Sequence, residues 1–222
     1  MTILTALQHK FLKAFLNTHL KKDFFLTGGT ALAEFYLQHR LSEDIDLFTI
    51  NQKLSFDQVN TELLKIINSF GAKIEHQVLG PSFIQYIFRI KNSSLKIDVV
   101  KDTLPHFGTI KEVNEIRVDS LENISVGKLL ALFGRADAKD FIDLYFLLKI
   151  EKKFTLEELF LMAKKKDAGL EEFYLADIMT RVFQIKHFPK TLKPFNQKDL
   201  VNFYLGLSKK IFNKIKPWEK EE

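Results

Sequence analysis

Apolar positions along this chain repeat with two different periods, and the change from one to the other falls near residue 120. Before it, helical and strand-like patterns alternate. Leu7, Phe11, Ala14, Phe15 and Leu20 recur at the spacing of one face of an amphipathic helix over 5–20. Phe24-Phe25-Leu26-Thr27 reads as a short buried strand ending at Gly28-Gly29. Residues 30–39 return to helical spacing through Leu32, Phe35, Tyr36 and Leu37, and 44–50 alternate as a second strand. Ser55 resembles the N-cap of a helix that carries Val59, Leu63, Ile66, Ile67 and Phe70 to a stop at Gly71. Three strand-like runs follow at 73–79, 83–90 and 95–101, with turns at Gly80-Pro81 and Asn92-Ser93, as in an antiparallel or mixed meander. Residues 116–118 read as a further, edge strand.

From Leu121 onward the pattern is helix after helix: 126–133, 140–149, 156–166 and 171–183. Pro189 and Pro194 then punctuate a connection to a last helix over 198–215. The expected architecture is therefore α+β, a mixed-sheet domain over 1–120 followed by a helical bundle over 121–222. No internal repeat or low-complexity segment interrupts it.

Two motifs in the first half carry chemistry. In Thr27-Gly28-Gly29-Thr30-Ala31-Leu32, a Gly pair behind an apolar strand lets backbone N–H groups approach a phosphate, and the following helix offers its positive N-terminus. In Arg40-Leu41-Ser42-Glu43-Asp44-Ile45-Asp46-Leu47-Phe48, Asp44 and Asp46 sit two apart in a strand, so both carboxylates share one face while Ile45 and Leu47 point into a core. A phosphate cradle beside two co-facial carboxylates is the equipment of divalent-metal phosphoryl or nucleotidyl transfer. Asp98, within Leu95-Lys96-Ile97-Asp98-Val99-Val100, is a third carboxylate among apolar neighbours, where it is costly unless paired or metal-bound. If its strand neighbours 44–50, the three carboxylates converge; the alternative is a strand-edge Asp in solvent.

In the second half, Lys128 lies among Val126, Leu129, Leu130, Leu132 and Phe133, with Arg135 seven residues on, and Asp140 and Asp143 three apart. On helices each pair shares a face. Cations so placed suit a polyphosphate. The same spacing equally suits a snorkelling lysine and an Arg/Asp network between helices.

Composition narrows the class without naming it. The 222 residues contain no Cys, which excludes disulfides, thiolate metal sites and a Cys nucleophile. No apolar run reaches membrane-spanning length, and the N-terminus lacks a signal-peptide pattern, so the expected location is cytoplasmic. The 22 Phe residues read as aromatic-heavy core packing before base stacking. Charge matters more: 181–216 holds nine basic residues (Arg181, Lys186, Lys190, Lys193, Lys198, Lys209, Lys210, Lys214, Lys216) and one acidic, Asp199. That is either the footprint of a polyanion such as RNA or a solvated Lys-rich surface.

Taken together, Gly28-Gly29-Thr30-Ala31-Leu32, Arg40-x-Ser42-x-Asp44-Ile45-Asp46-Leu47-Phe48, Lys96-Ile97-Asp98 and Lys128…Arg135…Lys139-Asp140-x-x-Asp143-Leu144 resemble the AbiEii/AbiGii-type toxin nucleotidyltransferases, the former DUF1814 group of the polymerase-β-like superfamily. The resemblance spans roughly residues 24 to 150. It implies a mixed-sheet catalytic domain plus a helical domain, an NTP substrate and a divalent cation, Mg²⁺ or Mn²⁺. By that likeness Asp44 and Asp46 are the metal-binding pair, Asp98 the third carboxylate, Lys128 the functional lysine, and Asp140 or Asp143 the late acidic residue. Gly28, Gly29, Thr30, Arg40, Ser42 and Arg135 are the remaining residues expected at the nucleotide. Many members are toxins paired with an antitoxin, and some attach nucleotides to tRNA ends. The expected activity is transfer of an NMP to an acceptor hydroxyl on RNA or protein, with RNA met by 181–216 and a cognate antitoxin as an implied partner. The rival readings are a small-molecule nucleotidyltransferase of the aminoglycoside-modifying kind, a non-catalytic nucleotide- or RNA-binding module, and a kinase-like transfer of the γ-phosphate.

Overall fold

In the computed structural model, residues 2–215 are described, and the chain divides into two compact units, Met1–Ile124 and Ser125–Glu222. The division falls inside a helix.

The first unit is built on a seven-stranded mixed sheet. Its strands are β1 (Phe25–Thr27), β2 (Ile45–Thr49), β3 (Lys73–Leu79), β4 (Phe83–Ile90), β5 (Ser93–Lys101), β6 (Lys111–Val113) and β7 (Ile116–Val118), in the order β3-β4-β5-β2-β1-β7-β6. The meander β3-β4-β5 is antiparallel, but β2 joins it in parallel, with Ile45 opposite Ile97 and Asp46 opposite Asp98. Strand β1 pairs antiparallel with β2 and parallel with β7.

Strand alternation assigns the two faces of the sheet. Ile45, Leu47, Ile84, Tyr86, Phe88, Leu95, Ile97 and Val99 are buried on one of them. That face is covered by α1 (Ala6–Leu16) and α3 (Phe56–Ser69), whose buried stripes are Leu7, Phe11, Leu12, Phe15 and Phe56, Val59, Leu63, Ile66, Ile67. Ring contacts such as Phe11 with Phe88 at 6.2 Å fill the layer, so many of the Phe residues are core. Asp46, Phe48, Lys96, Asp98 and Val100 occupy the opposite face and are only half-buried.

Three local expectations are corrected. The Gly pair is not a turn preceding a helix; it is the first turn of α2 (Gly28–Ala31), which widens into a π-type segment, Leu32–Leu37, and ends on Gln38 in the left-handed region. Ile116–Val118 is not an edge strand, because β6 lies outside it. That strand has only exposed residues and so left no apolar alternation to read; its hairpin is closed by Asn114 and Glu115, both at positive φ, as a two-residue loop on right-twisted strands requires. The β4–β5 loop likewise falls at Lys91-Asn92, one residue earlier than read.

The sheet end next to β1 is held by a buried polar network that the sequence reading did not contain. Asp119, fully buried after β7, accepts from Thr27 Oγ1 at 2.6 Å, His106 Nε2 at 2.8 Å, Asn123 Nδ2 at 2.8 Å and the Ser120 N–H at 2.8 Å. The Tyr36 hydroxyl donates to its carbonyl at 2.6 Å. One residue, through its carboxylate and its carbonyl, thus joins β1, the Leu32–Leu37 segment, the 102–110 segment and the start of α4. Burial, then the charges of Asp119 and Glu122, push the Tyr36 hydroxyl up to about 12.

The second unit consists of most of α4 (Leu121–Arg135), then α5 (Ala138–Tyr145, continued by Phe146–Ile150), α6 (Leu156–Lys166), α7 (Glu172–Thr180, with a 3₁₀ turn Arg181–Gln184) and α8 (Gln197–Lys214). Tyr204 of α8 donates to the Phe141 carbonyl at 2.6 Å and packs edge-on against that ring. Ser208 ties α8 to the Ala176 carbonyl of α7 at 2.8 Å. Among the described residues no helix is long and apolar enough to cross a membrane.

Two outcomes follow. Asp119→Ala removes the acceptor shared by four donors and lowers stability by about 3 kcal/mol, measured by urea unfolding. In the folded protein Tyr36 stays neutral through the range in which a free tyrosine ionises. The unfolded chain ionises first, so Tyr36's contribution to stability is intact below pH 10 and fades as pH rises towards about 12. Melting across this range, with Tyr36→Phe showing the smaller loss, checks it.

Candidate active site

The site in the first unit forms where three segments meet: the start of α2, the start of β2 and the middle of β5. Gly28 enters α2 at φ +69°, a conformation open to glycine and strained for other residues. A Cβ placed on it would lie 2.0 Å from Asp46 Oδ2. The carboxylate of Asp46 therefore rests directly against the Gly28 backbone, so the glycine is required by its neighbour as much as by its own torsion. Thr27 faces Asp46 across the β1–β2 pair, which fixes that approach.

Asp44 stands one residue ahead of β2 and is positioned through its backbone. Its carbonyl accepts from the Thr30 hydroxyl and, at 3.3 Å, from Gln8 Nε2. Gln8 also donates to the Ser42 carbonyl at 3.0 Å, while its own oxygen accepts from the Thr5 N–H in the capping box of α1. Thr30, 1% exposed, turns inward to this task. Arg40 is also buried, with Nη1 on the Leu41 carbonyl at 2.8 Å.

Asp98 lies opposite Asp46 on β5, and the parallel register puts both side chains on one face of adjacent strands. Its Oδ1 accepts from Gln85 Nε2 at 2.8 Å and its Oδ2 from Lys96 Nζ at 2.7 Å. The same ammonium is 3.8 Å from Asp44 Oδ2. Burial pulls the Lys96 pKa down, but the hydrogen bond to Asp98 and the charges of Asp98, Asp44 and Asp46 outweigh it and hold it above the ordinary lysine value. Among the described residues no three acidic or imidazole side chains close on a single point as a metal set; Asp44 and Asp98 share Lys96, and Asp46 rests against Gly28.

The second unit gathers the other predicted residues. Lys128, 7% exposed at its side chain, is 2.7 Å from Asp143 Oδ2 and 3.6 Å from Asp140 Oδ1. Asp140 also accepts from Arg135 Nε at 2.8 Å and Nη2 at 3.0 Å, a bidentate pair. Helix α4 runs through to Arg135, so both cations meet α5 along one face. The neighbouring Tyr204 hydroxyl is raised well above its ordinary value by burial and then by Asp143 and Asp140. Of the basic stretch, Lys186, Lys190, Lys198, Lys209 and Lys210 are exposed; Arg181, Lys193 and Lys214 meet Asp177, Glu151 and Glu157. Lys216 lies outside the described residues.

Sequence reading missed three contributors to the first unit's site: Gln8, Gln85 and Lys96 as neighbours of the carboxylates. Lys96 was legible in principle, two residues from Asp98 and hence on its face. Gln8 and Gln85 required the packing of α1 and the register of β4.

This mixed sheet, with Asp46 and Asp98 in register beside a Gly-opened helix, is similar in fold to solved proteins. JHP933 from Helicobacter pylori is similar with TM-score 0.57 at 20% identity, over 95% of this chain and 94% of that one. MenT4, the nucleotidyltransferase toxin Rv2826c from Mycobacterium tuberculosis H37Rv, is similar with TM-score 0.53 at 13% identity, over 90% and 82%. At those identities the likeness is one of fold. An uncharacterized protein of Aquifex aeolicus (strain VF5) is 28% identical over 172 residues, 74% of this chain and 76% of its own. The model of the family described as nucleotidyl transferase AbiEii toxin, type IV toxin–antitoxin system, matches residues 10–204, and the chain belongs to that family.

Two substitutions test this geometry. Gly28→Ala drives a methyl into Asp46 and strains the backbone, costing about 2 kcal/mol in thermal unfolding and displacing Asp46. Lys128→Met leaves two buried carboxylates short of their cation and costs about 3–5 kcal/mol by the same measurement.

Proposed function

We propose that this nucleotidyltransferase moves a nucleoside monophosphate from an NTP to a hydroxyl on RNA, as the toxin of a toxin–antitoxin pair. The observation that carries the catalytic part is the in-register pairing of Asp46 with Asp98, with Asp46 against Gly28 and Asp44 anchored beside them.

The donor set fits a hard divalent cation: carboxylate oxygens, with neither Cys nor His among them. Asp44 and Asp46 would hold it, and Asp98 would share a second or take the acceptor's proton. Bound there, Mg²⁺ or Mn²⁺ would neutralise the triphosphate and the charge that develops during transfer. The chain's own groups do the rest. The Gly28 backbone leaves room for the Asp46 carboxylate at close quarters. Gln8 and Thr30 hold Asp44 through its carbonyl, so its carboxylate is aimed by backbone and not by rotamer choice alone. Gln85 and Lys96 fix Asp98 on both oxygens.

In the transfer, the acceptor oxygen bonds to the α-phosphorus and its proton passes to a carboxylate. The α–β phosphoanhydride bond breaks, and pyrophosphate carries away the electron pair. Lys128, which matches the family's functional lysine, and Arg135 would neutralise the polyphosphate; Asp140 and Asp143 hold these cations from α5. The exposed lysines of 181–215 support RNA as acceptor, because phosphate contacts supply most sequence-independent affinity. Membership of a type IV toxin–antitoxin family supports an antitoxin partner.

Incubation with each NTP labelled at the α- or γ-phosphate, together with tRNA, total protein or an aminoglycoside, tests the reading. Label from the α-phosphate is expected on RNA. Asp44→Asn and Asp46→Asn are each expected to reduce it by two to three orders of magnitude with unchanged circular dichroism. Label from the γ-phosphate on any acceptor, or undiminished α-label in both variants, overturns the assignment.

A further inference from the structure

Lys96 stands where a positive charge meets the carboxylates that the proposed function gives to a metal. It is on β5, two residues from Asp98 and on the same face, with its ammonium 2.7 Å from Asp98 and 3.8 Å from Asp44. Asp46 acts on it electrostatically as well. Three like charges on neighbouring strands repel, and an ammonium paired with two of them relieves that repulsion. The lysine side chain is 30% exposed, so water is within reach of its head, and its four-carbon stem has the freedom to carry the charge outward. An arginine would lock onto one carboxylate through two parallel bonds; a lysine is a compact point charge able to leave.

We propose that Lys96 is a built-in counter-ion of the Asp44–Asp46–Asp98 group, holding the carboxylates together in the metal-free protein and giving way when a divalent cation enters, so that it sets the cation affinity of the site. This rests on reading those carboxylates as metal ligands. Two cations cannot both sit within a few ångströms of the same oxygens without strong repulsion, so the divalent ion must displace the ammonium from at least one carboxylate. The measured affinity is then the difference between the site's hold on the divalent ion and its hold on its own lysine. The lysine in turn spares the empty protein the cost of three unneutralised acids, and its loss is felt most when no metal is present.

The test is Mn²⁺ binding, followed by the electron paramagnetic resonance of free Mn²⁺, for the wild type, Lys96→Met, Lys96→Gln and Asp46→Asn, with thermal melts in EDTA and in saturating Mn²⁺. The expected result is Mn²⁺ binding roughly tenfold tighter in Lys96→Met and Lys96→Gln. Their melting temperatures fall below wild type in EDTA, and the gap narrows in Mn²⁺. Lys96→Gln repeats the test should Lys96→Met fail to fold. Equal or weaker Mn²⁺ binding in the folded Lys96 variants, with wild type binding and Asp46→Asn not, overturns the counter-ion while leaving the metal site standing. Absence of Mn²⁺ binding in wild type and variants alike, or full binding by Asp46→Asn, overturns the metal reading and this inference with it.

Discussion

The approach of the Asp46 carboxylate to the Gly28 backbone is the constraint on which the rest of the first unit's site depends. Only a residue without a Cβ leaves room for that carboxylate, and only the antiparallel pairing of β1 with β2 sets Thr27 opposite Asp46 at the right height. Once Asp46 is placed, the parallel pairing of β2 with β5 places Asp98 beside it. The order of strands is thus part of the chemistry. A meander alone, with β2 elsewhere, would leave Asp98 a solitary acid on a sheet.

Charge is then managed twice, in different ways. In the first unit the acids are half-buried, and two of them, Asp44 and Asp98, share one half-exposed lysine. In the second, Asp140 and Asp143 are fully buried and bound to Lys128 and a bidentate Arg135. Buried pairs of that kind contribute little net stability compared with apolar packing, yet removing one member is severe. Their value lies in orientation: they fix which way the α4 cations point.

How much of this was legible depended on the range of the interaction. The period-two strand over Asp46 and the helix stop at Gly71 are local and are written in consecutive residues. The exposed β6, without apolar alternation, carried no such signature and was missed, which turned an interior β7 into an expected edge. The Asp119 network was invisible for another reason. Its members, Thr27, Tyr36, His106, Asn123 and Asp119, are scattered over nearly a hundred positions and are individually ordinary.

The sequence by itself determined the two textures of the chain, the side of β2 and β5 on which the acids lie, and the glycine at the entry to α2, because each follows from periodicity or from the steric rule of a single residue. Tertiary structure alone decided that Asp46 and Asp98 are partners, that Gln8 and Gln85 attend the carboxylates, and that Lys128 is bound to Asp143. Those facts are registers and packings between distant segments, and no local spacing encodes them.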